Sequence, residues 1–166
     1  MGHNIMSDKQ ASLVDFAMFR PGENVGTSEW VTVDQPMISG FGDITLDPDP
    51  MHVDPEWAAE NSAFGRTIAF GFLTMSLLTH LLHSAMGDSN DRDHADIGYF
   101  LNYGFDRMRL VSPIPVDSRV RGHFKTLENY TDEKDRQMVK FECHIEIEGE
   151  ERPALIGEWL AIWINK

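Results

Sequence analysis

The chain has 166 residues, with 14 Lys and Arg against 27 Asp and Glu and a formal net charge of −13. A field of that sign opposes nucleic acid and anionic membrane as partners, and the composition, 42% hydrophobic and 25% charged, is that of one globular domain rather than a disordered or fibrous chain. The single cysteine, Cys143, excludes an intrachain disulfide and a Cys-rich zinc site.

The opening MGHNIMSDKQ has no basic stretch followed by an apolar one, so a cytoplasmic location is expected. Residues 1 to about 15 are expected to be loosely held. Trp30 to Val33 suits a short strand. Asp34 can cap a helix running to about Ile44, with Met37, Ile38 and Phe41 at helical spacing. A Pro-rich stretch, Asp47-Pro48-Asp49-Pro50-Met51-His52, follows and is expected to be extended and stiff. Asp54-Pro55-Glu56 then starts a short helix ending near Asn61, with Pro at its first position and an acid in its first turn.

Ile68 to Met86 carries no formal charge. Its length is close to that of a membrane span. Gly71, Thr74, Ser76, Thr79, His80, His83 and Ser84 interrupt it, and no basic flank pins it. We read it as the buried central helix of a domain, from about Gly71 to Met86, with Gly87 as its stop. The charged stretch Asp88 to Asp96 lacks the spacing of a calcium loop, and His80 and His83 lack a third ligand at a defined spacing, so no metal site is expected.

The second half of the chain has a period of two. Ile97, Tyr99, Leu101, Tyr103 and Phe105 alternate, as do Arg119, Arg121, His123 and Lys125 with Val120, Gly122 and Phe124. Val139, Phe141, Cys143, Ile145 and Ile147 alternate with charged residues, and Ala154 to Ile164 is apolar on both faces apart from Glu158. Helices followed by such strands predict an α+β domain in which an antiparallel sheet encloses the apolar helix.

The Asp47–His52 stretch is the best candidate for chemistry. Pro48 and Pro50 fix their own φ and keep Asp47 and Asp49 out of the helical region. Such a segment can hold a carboxylate and an imidazole at a defined separation, and imidazole passes protons in both directions near neutrality. A surface loop rich in Pro and Asp gives the same pattern, and spacing alone leaves both open.

The stretch FGDITLDPDPMHVDPEWA, continued by FGRTIAFGFLTMSLL, resembles the MaoC-like hydratases, the (R)-specific enoyl-CoA hydratases of the hot-dog fold, and within them the nodulation-protein-N-like branch. That pattern has an Asp, four residues, a His, an Asp-Pro and later a Gly opening the long helix. Asp47, His52, Asp54-Pro55 and Gly71 match it, and LNYGFDRMRLVSPIPVDSRVRG resembles the next two strands. The resemblance implies a single hot-dog domain over residues 25–166, with residues 1–24 as an N-terminal extension. It implies a homodimer or dimer of dimers. It also implies reversible hydration of a trans-2-enoyl thioester, carried by CoA or an acyl carrier protein, to an (R)-3-hydroxyacyl thioester. Asp47 and His52 would hold and activate the water. The backbone N–H of Gly71 would meet the thioester oxygen, as helix N-termini can; a packing role explains the glycine equally. Ser76 and Thr79 lie further along the helix where the family often has a hydroxyl. No metal or redox cofactor is implied.

The chain departs from the pattern at four places. Thr45-Leu46 stand where Ser-Gly is common, Asp49 replaces an Asn and adds a carboxylate beside Asp47, and Phe70 replaces the His before the helix-start Gly. The Phe70 change removes a polar group from the implied acyl tunnel. Thioester hydrolysis by a hot-dog enzyme, or acyl-thioester binding without catalysis, therefore remain as alternatives. Arg107, Arg109, Arg119, Arg121 and Lys125 are candidates for the CoA phosphates, against the ordinary reading of a solvated strand face.

Overall fold

The computed structural model describes residues 16–87 and 98–164. The N-terminal stretch to about residue 15, the charged stretch Asp88–Asp96 with Ile97, and residues 165–166 lie outside the described residues.

The helices begin where local chemistry says they should. Asp34 accepts the N–H of Met37 at 2.9 Å and caps α1 (Gln35–Thr45). Asp54 accepts from Trp57 at 2.9 Å and caps α3 (Pro55–Asn61). Each carboxylate oxygen satisfies a donor that the first helical turn leaves open. Between them lies a helix that the Pro-rich sequence does not announce, α2 (Pro50–Val53). The stretch is extended only as far as Asp49 (φ −58°, ψ 118°), whose side chain then accepts the N–H of Met51 at 2.9 Å. Pro50 starts the turn because a first helical residue needs no N–H and its φ is already helical. His52 is thus carried on a capped helical turn, not on an extended segment.

The long helix α4 (Gly71–Ala85) has 15 residues, and Gly87 follows it with φ 70°. Ile68 to Phe70 are not helical, and no helix among the described residues is long and apolar enough to cross a membrane.

Among the described residues, six strands form one antiparallel sheet: β1 (Asn24–Thr27), β2 (Val31–Val33), β3 (Tyr99–Leu110), β4 (Ser118–Thr131), β5 (Gln137–Ile147) and β6 (Leu155–Ile164). The order is β1-β4-β5-β6-β3, with β2 also pairing β4. In register, Phe124 faces Cys143, Phe141 faces Trp159, and Phe105 faces Trp159 from the other side. The inward row of β5 (Val139, Phe141, Cys143, Ile145, Ile147) is buried throughout, and Leu73, Leu78, Leu81 and Leu82 of α4 join it in one core. This is the hot-dog arrangement, a central helix wrapped by a sheet.

The chain joins that core before residue 25. Phe19 is 1% exposed and lies edge-on to Phe100 and Phe141 at 5.1 and 5.6 Å. Asn129 donates to the carbonyls of Phe16 and Phe19. Phe16 and Phe19 therefore pack into the same core as the sheet, and a buried ring of that size anchors the chain around it.

Candidate active site

His52 is 8% exposed, on α2. Its Nδ1 lies 2.7 Å from the carbonyl oxygen of Ile68. A carbonyl only accepts, so Nδ1 carries a proton, and in the neutral ring the lone pair is on Nε2. The ring packs against Phe70 with centroids 3.9 Å apart, and Phe70 in turn meets Phe41 at 5.3 Å. Phe70 precedes α4 directly and makes no side-chain cap there. The imidazole is therefore held beside the N-terminus of the long helix, where unpaired N–H groups and a partial positive charge favour developing negative charge.

Asp47 is exposed. Its backbone N–H bonds to Gly42 O at 3.0 Å, which folds it back onto the end of α1. Its Oδ1 accepts from the Asp49 N–H at 3.3 Å. Gly42 makes room for this return: a Cβ there would lie 2.9 Å from Asp47 O and 3.1 Å from the Phe70 ring. Gly71 is less confined: a Cβ would lie 2.5 Å from Cδ1 of Leu110, the far end of a half-exposed side chain at the end of β3. Packing alone therefore does not demand glycine here, and its lack of a side chain leaves the backbone at the start of α4 open to a close approach.

Ser76 donates to Phe72 O at 2.8 Å, as a helix hydroxyl ordinarily does. Ser76 and Thr79 nonetheless line one cavity of about 290 Å³, with Phe72, Met75, Phe105 and Trp159 among its other walls. The indole N–H of Trp159 is buried and has no hydrogen-bond partner among the described residues.

Residues 16–148 match the profile of the MaoC like domain. The chain belongs to the MaoC-like dehydratase family. It is 44% identical over 143 residues to "Nodulation protein N" of Rhizobium leguminosarum bv. viciae, covering 86% of each chain. It is 34% identical over 143 residues to "3-hydroxyacyl-thioester dehydratase Z" of Mycobacterium tuberculosis, covering 86% of this chain and 90% of that one. Among solved structures, the (R)-hydratase from A. caviae involved in PHA biosynthesis shares the fold, with a TM-score of 0.66 at 20% identity over 86% of this chain and 95% of that one.

Set against the MaoC-like pattern, three of the four departures keep the local structure. Thr45 donates its hydroxyl to Phe41 O at 2.7 Å, a bond a Ser can also make. Leu46 sits at φ 60°, ψ 34°, the left-handed conformation that the usual glycine adopts freely, and its side chain is 86% exposed. Asp49 uses one oxygen to cap α2, as an Asn would. Phe70 sets an apolar ring against His52 where the pattern has a polar one.

The five basic candidates are not brought together. Arg119, Arg121 and Lys125 lie on β4, whereas Arg107 and Arg109 lie on β3, with β5 and β6 between them. Arg119 pairs with Glu148 at 2.9 Å and Arg121 with Glu146 at 2.7 Å, with Trp30 stacked under the Arg121 guanidinium at 4.4 Å. Lys125 faces Glu142 in register. Arg107 reaches Glu158 only at 3.6 Å, and Arg109 donates to the carbonyl of its own neighbour Met108. A groove of about 800 Å³ is lined by Arg107, Arg109, His123, His144 and several glutamates on the sheet. The outward-facing residues of β5 that line it lie on the face away from α4, so this larger groove is not the His52 site. Cys143 is no nucleophile: burial, with Glu142 nearby, pushes its thiol up to about 12. Among the described residues no three metal-binding side chains converge.

Sequence reasoning missed Gln35 and Thr67, which join at 2.5 Å across a separation of 32 residues. Neither belongs to a local motif, so no signal in the sequence pairs them.

Proposed function

We propose that this protein is an (R)-specific enoyl-thioester hydratase, adding water reversibly to a trans-2-enoyl thioester. The observation that carries the proposal is His52. Its Nδ1–H is committed to Ile68 O, so Nε2 is the basic nitrogen, and the ring stands against the residue that opens α4. In the forward direction Nε2, with Asp47, holds a water and takes its proton as the oxygen bonds to C3. The C2=C3 π pair moves toward C2, and negative charge develops on the thioester oxygen. The N–H groups at the start of α4, Gly71 first, receive that charge. A proton returned to C2 on the same face completes syn addition and restores the starting protonation states. The reaction as written needs no metal or redox cofactor, since CoA or an acyl carrier is part of the substrate.

The cavity between α4 and β3, with Ser76 and Thr79 on one wall, is the place we assign to the acyl chain. Arg119, Arg121 and Arg107 already pair with glutamates, so Arg109, which adjoins the Leu110 that lies on Gly71, is the one we assign to the CoA phosphates, reaching them from the outer face of the sheet. We further propose a homodimer through β3. That strand ends the sheet and exposes Tyr99, Leu101, Tyr103 and Phe105 along its length, an edge that pairing would cover.

The test is to incubate the protein with crotonyl-CoA and longer enoyl-CoAs, following loss of the enoyl group and release of free thiol together. Enoyl loss without thiol is the expected result. Thiol release would mean hydrolysis instead, and binding with neither reaction would replace the enzyme with an acyl-thioester-binding protein. Light scattering on the same sample should give twice the chain mass, and a monomer would remove the β3 pairing.

A further inference from the structure

His52 is gripped from two directions, and one side chain reaches both. Gln35, the first residue of α1, donates from Nε2 to the backbone carbonyl of His52 at 2.9 Å and to Ser39 Oγ at 3.0 Å. Its Oε1 accepts from the hydroxyl of Thr67 at 2.5 Å, and Thr67 is 1% exposed. The next residue after Thr67 is Ile68, whose carbonyl receives the His52 ring. Thr67 and Ala69 are in turn tied to the 114–116 segment, through Val116 N to Thr67 O at 3.0 Å and Ala69 N to Ile114 O at 2.8 Å. The bonds close a loop: Gln35 to the His52 backbone, the His52 ring to Ile68, and Thr67 back to Gln35.

The chemistry of the groups fixes the direction of every bond. The His52 carbonyl can only accept, so the atom of Gln35 facing it is the NH₂. The atom facing Thr67 is then the amide oxygen, which can only accept, so the Thr67 hydroxyl must donate. A flipped amide would set oxygen against oxygen at His52. The clamp therefore has one arrangement, and it couples the position of the His52 main chain to the position of the carbonyl that aims its ring.

We propose that Gln35 and Thr67 are positioning residues for the reaction, setting the direction of His52 Nε2 without touching substrate. This rests on the hydratase reading, and its test separates the two. The variants are Gln35→Leu, Thr67→Val and Thr67→Ser, assayed with crotonyl-CoA. Their His52 ring is followed by ¹⁵N-edited NMR in the absence of substrate. Gln35→Leu and Thr67→Val should each lower kcat about 10- to 100-fold, the scale expected when a reacting group is displaced by about an ångström, with KM changed less than about twofold. In both, the Nδ1–H signal of His52 should broaden or begin to exchange with water. Thr67→Ser restores the hydroxyl and should restore both kcat and the signal.

Wild-type kcat in Gln35→Leu and Thr67→Val would overturn the proposal. So would an equal loss in Thr67→Ser and Thr67→Val, which would assign the effect to the threonine methyl, or a loss of kcat with the ring signal unchanged. If the wild-type protein turns over no enoyl thioester, the hydratase reading fails by itself. The ring signal in the three variants then still decides whether the clamp holds His52.

Discussion

The two ends of the Asp47–His52 stretch are held in opposite ways. His52 is buried, its ring fixed by a carbonyl at 2.7 Å and an aromatic face at 3.9 Å. Asp47 is exposed, placed by its own main chain on the end of α1 and touched at the carboxylate by one long bond from Asp49. The imidazole's tautomer is therefore decided by the fold before any substrate arrives. The carboxylate's surroundings are completed by what docks beside it, in our proposal the enoyl thioester.

The largest expected effect breaks that comparison directly. His52→Ala and Asp47→Asn should each reduce kcat/KM for crotonyl-CoA by about 10³-fold, the middle of the range for a lost acid–base group. Only His52→Ala should also lower Tm, because it leaves Ile68 O without its buried donor, at a cost of about 1–3 kcal/mol. Equal melting temperatures for the two variants would show that His52 is no better anchored than Asp47. Activity retained in either would remove it from the mechanism.

Phe70 sharpens the buried side of the comparison. It is 4% exposed and fills the space between His52, Phe41 and Gly42. Phe70→Ala should cost about 3–5 kcal/mol of stability, the usual range for a large-to-small aromatic change in a core. Thermal or urea unfolding measures this. A loss below about 1 kcal/mol would mean that the ring is not packed as described.

Much of this was legible in the sequence, for local reasons. Asp34 and Asp54 declare α1 and α3 because a cap needs only the next three residues. The alternation of β4 and β5 survives because one face is buried and the other wet. The pairing of β3 with β6 rather than with β4 is set by packing of the whole sheet and leaves no local trace. The four residues of β1 (Asn24–Thr27), with an irregularity between Asn24 and Gly26, are too short to show a period. In the site, the Asp47/His52 spacing and Gly71 were legible. The helical turn under His52 was not, since two prolines suggest extended chain and only Asp49's cap turns the second into a helix start. The Gln35–Thr67 bond was beyond reach for the same reason as the strand order.

On the exposed side, Leu46 allows a finer test. Its left-handed backbone costs a non-glycine residue about 1–2 kcal/mol. Glycine would relieve this but adds about 0.4–1 kcal/mol of unfolded-chain entropy. Leu46→Gly should therefore stabilise the protein by roughly 0.8 kcal/mol, the difference of those two terms. The same change frees the residue that leads into Asp47, so kcat should fall by about two- to threefold while Tm rises slightly, a loosening of one positioned group. A rise in both would show that Asp47 is positioned by Gly42 and Asp49 without help from Leu46.

The smallest expected effect lies on the far face of the sheet and tests whether that face is separate from the site. His144 stacks on His123 with centroids 4.3 Å apart, and the carboxylates of Glu142 and Glu146 flank it on β5. Partial desolvation, then the neighbouring His123, holds its imidazole below the ordinary value of 6.5, against the opposite pull of Glu146 and Glu142. The unfolded chain therefore takes up this proton first as pH falls. The stability tied to neutral His144 is present above 6.5 and is lost between 6.5 and the lower folded value. Glu146 acts in a different window. The hydrogen bond from Arg121, with that of His123, holds its carboxyl below 4.5, so its contribution is present above 4.5 and lost only as pH falls through the folded value. His144→Gln should remove the first loss and keep the second. The fall in Tm between pH 7 and pH 5 should shrink, while the loss below pH 4.5 stays. Its kcat for crotonyl-CoA should equal that of wild type. A change in kcat would mean that the outer face and the His52 site are coupled through the sheet, and the division between them drawn here would have to be abandoned.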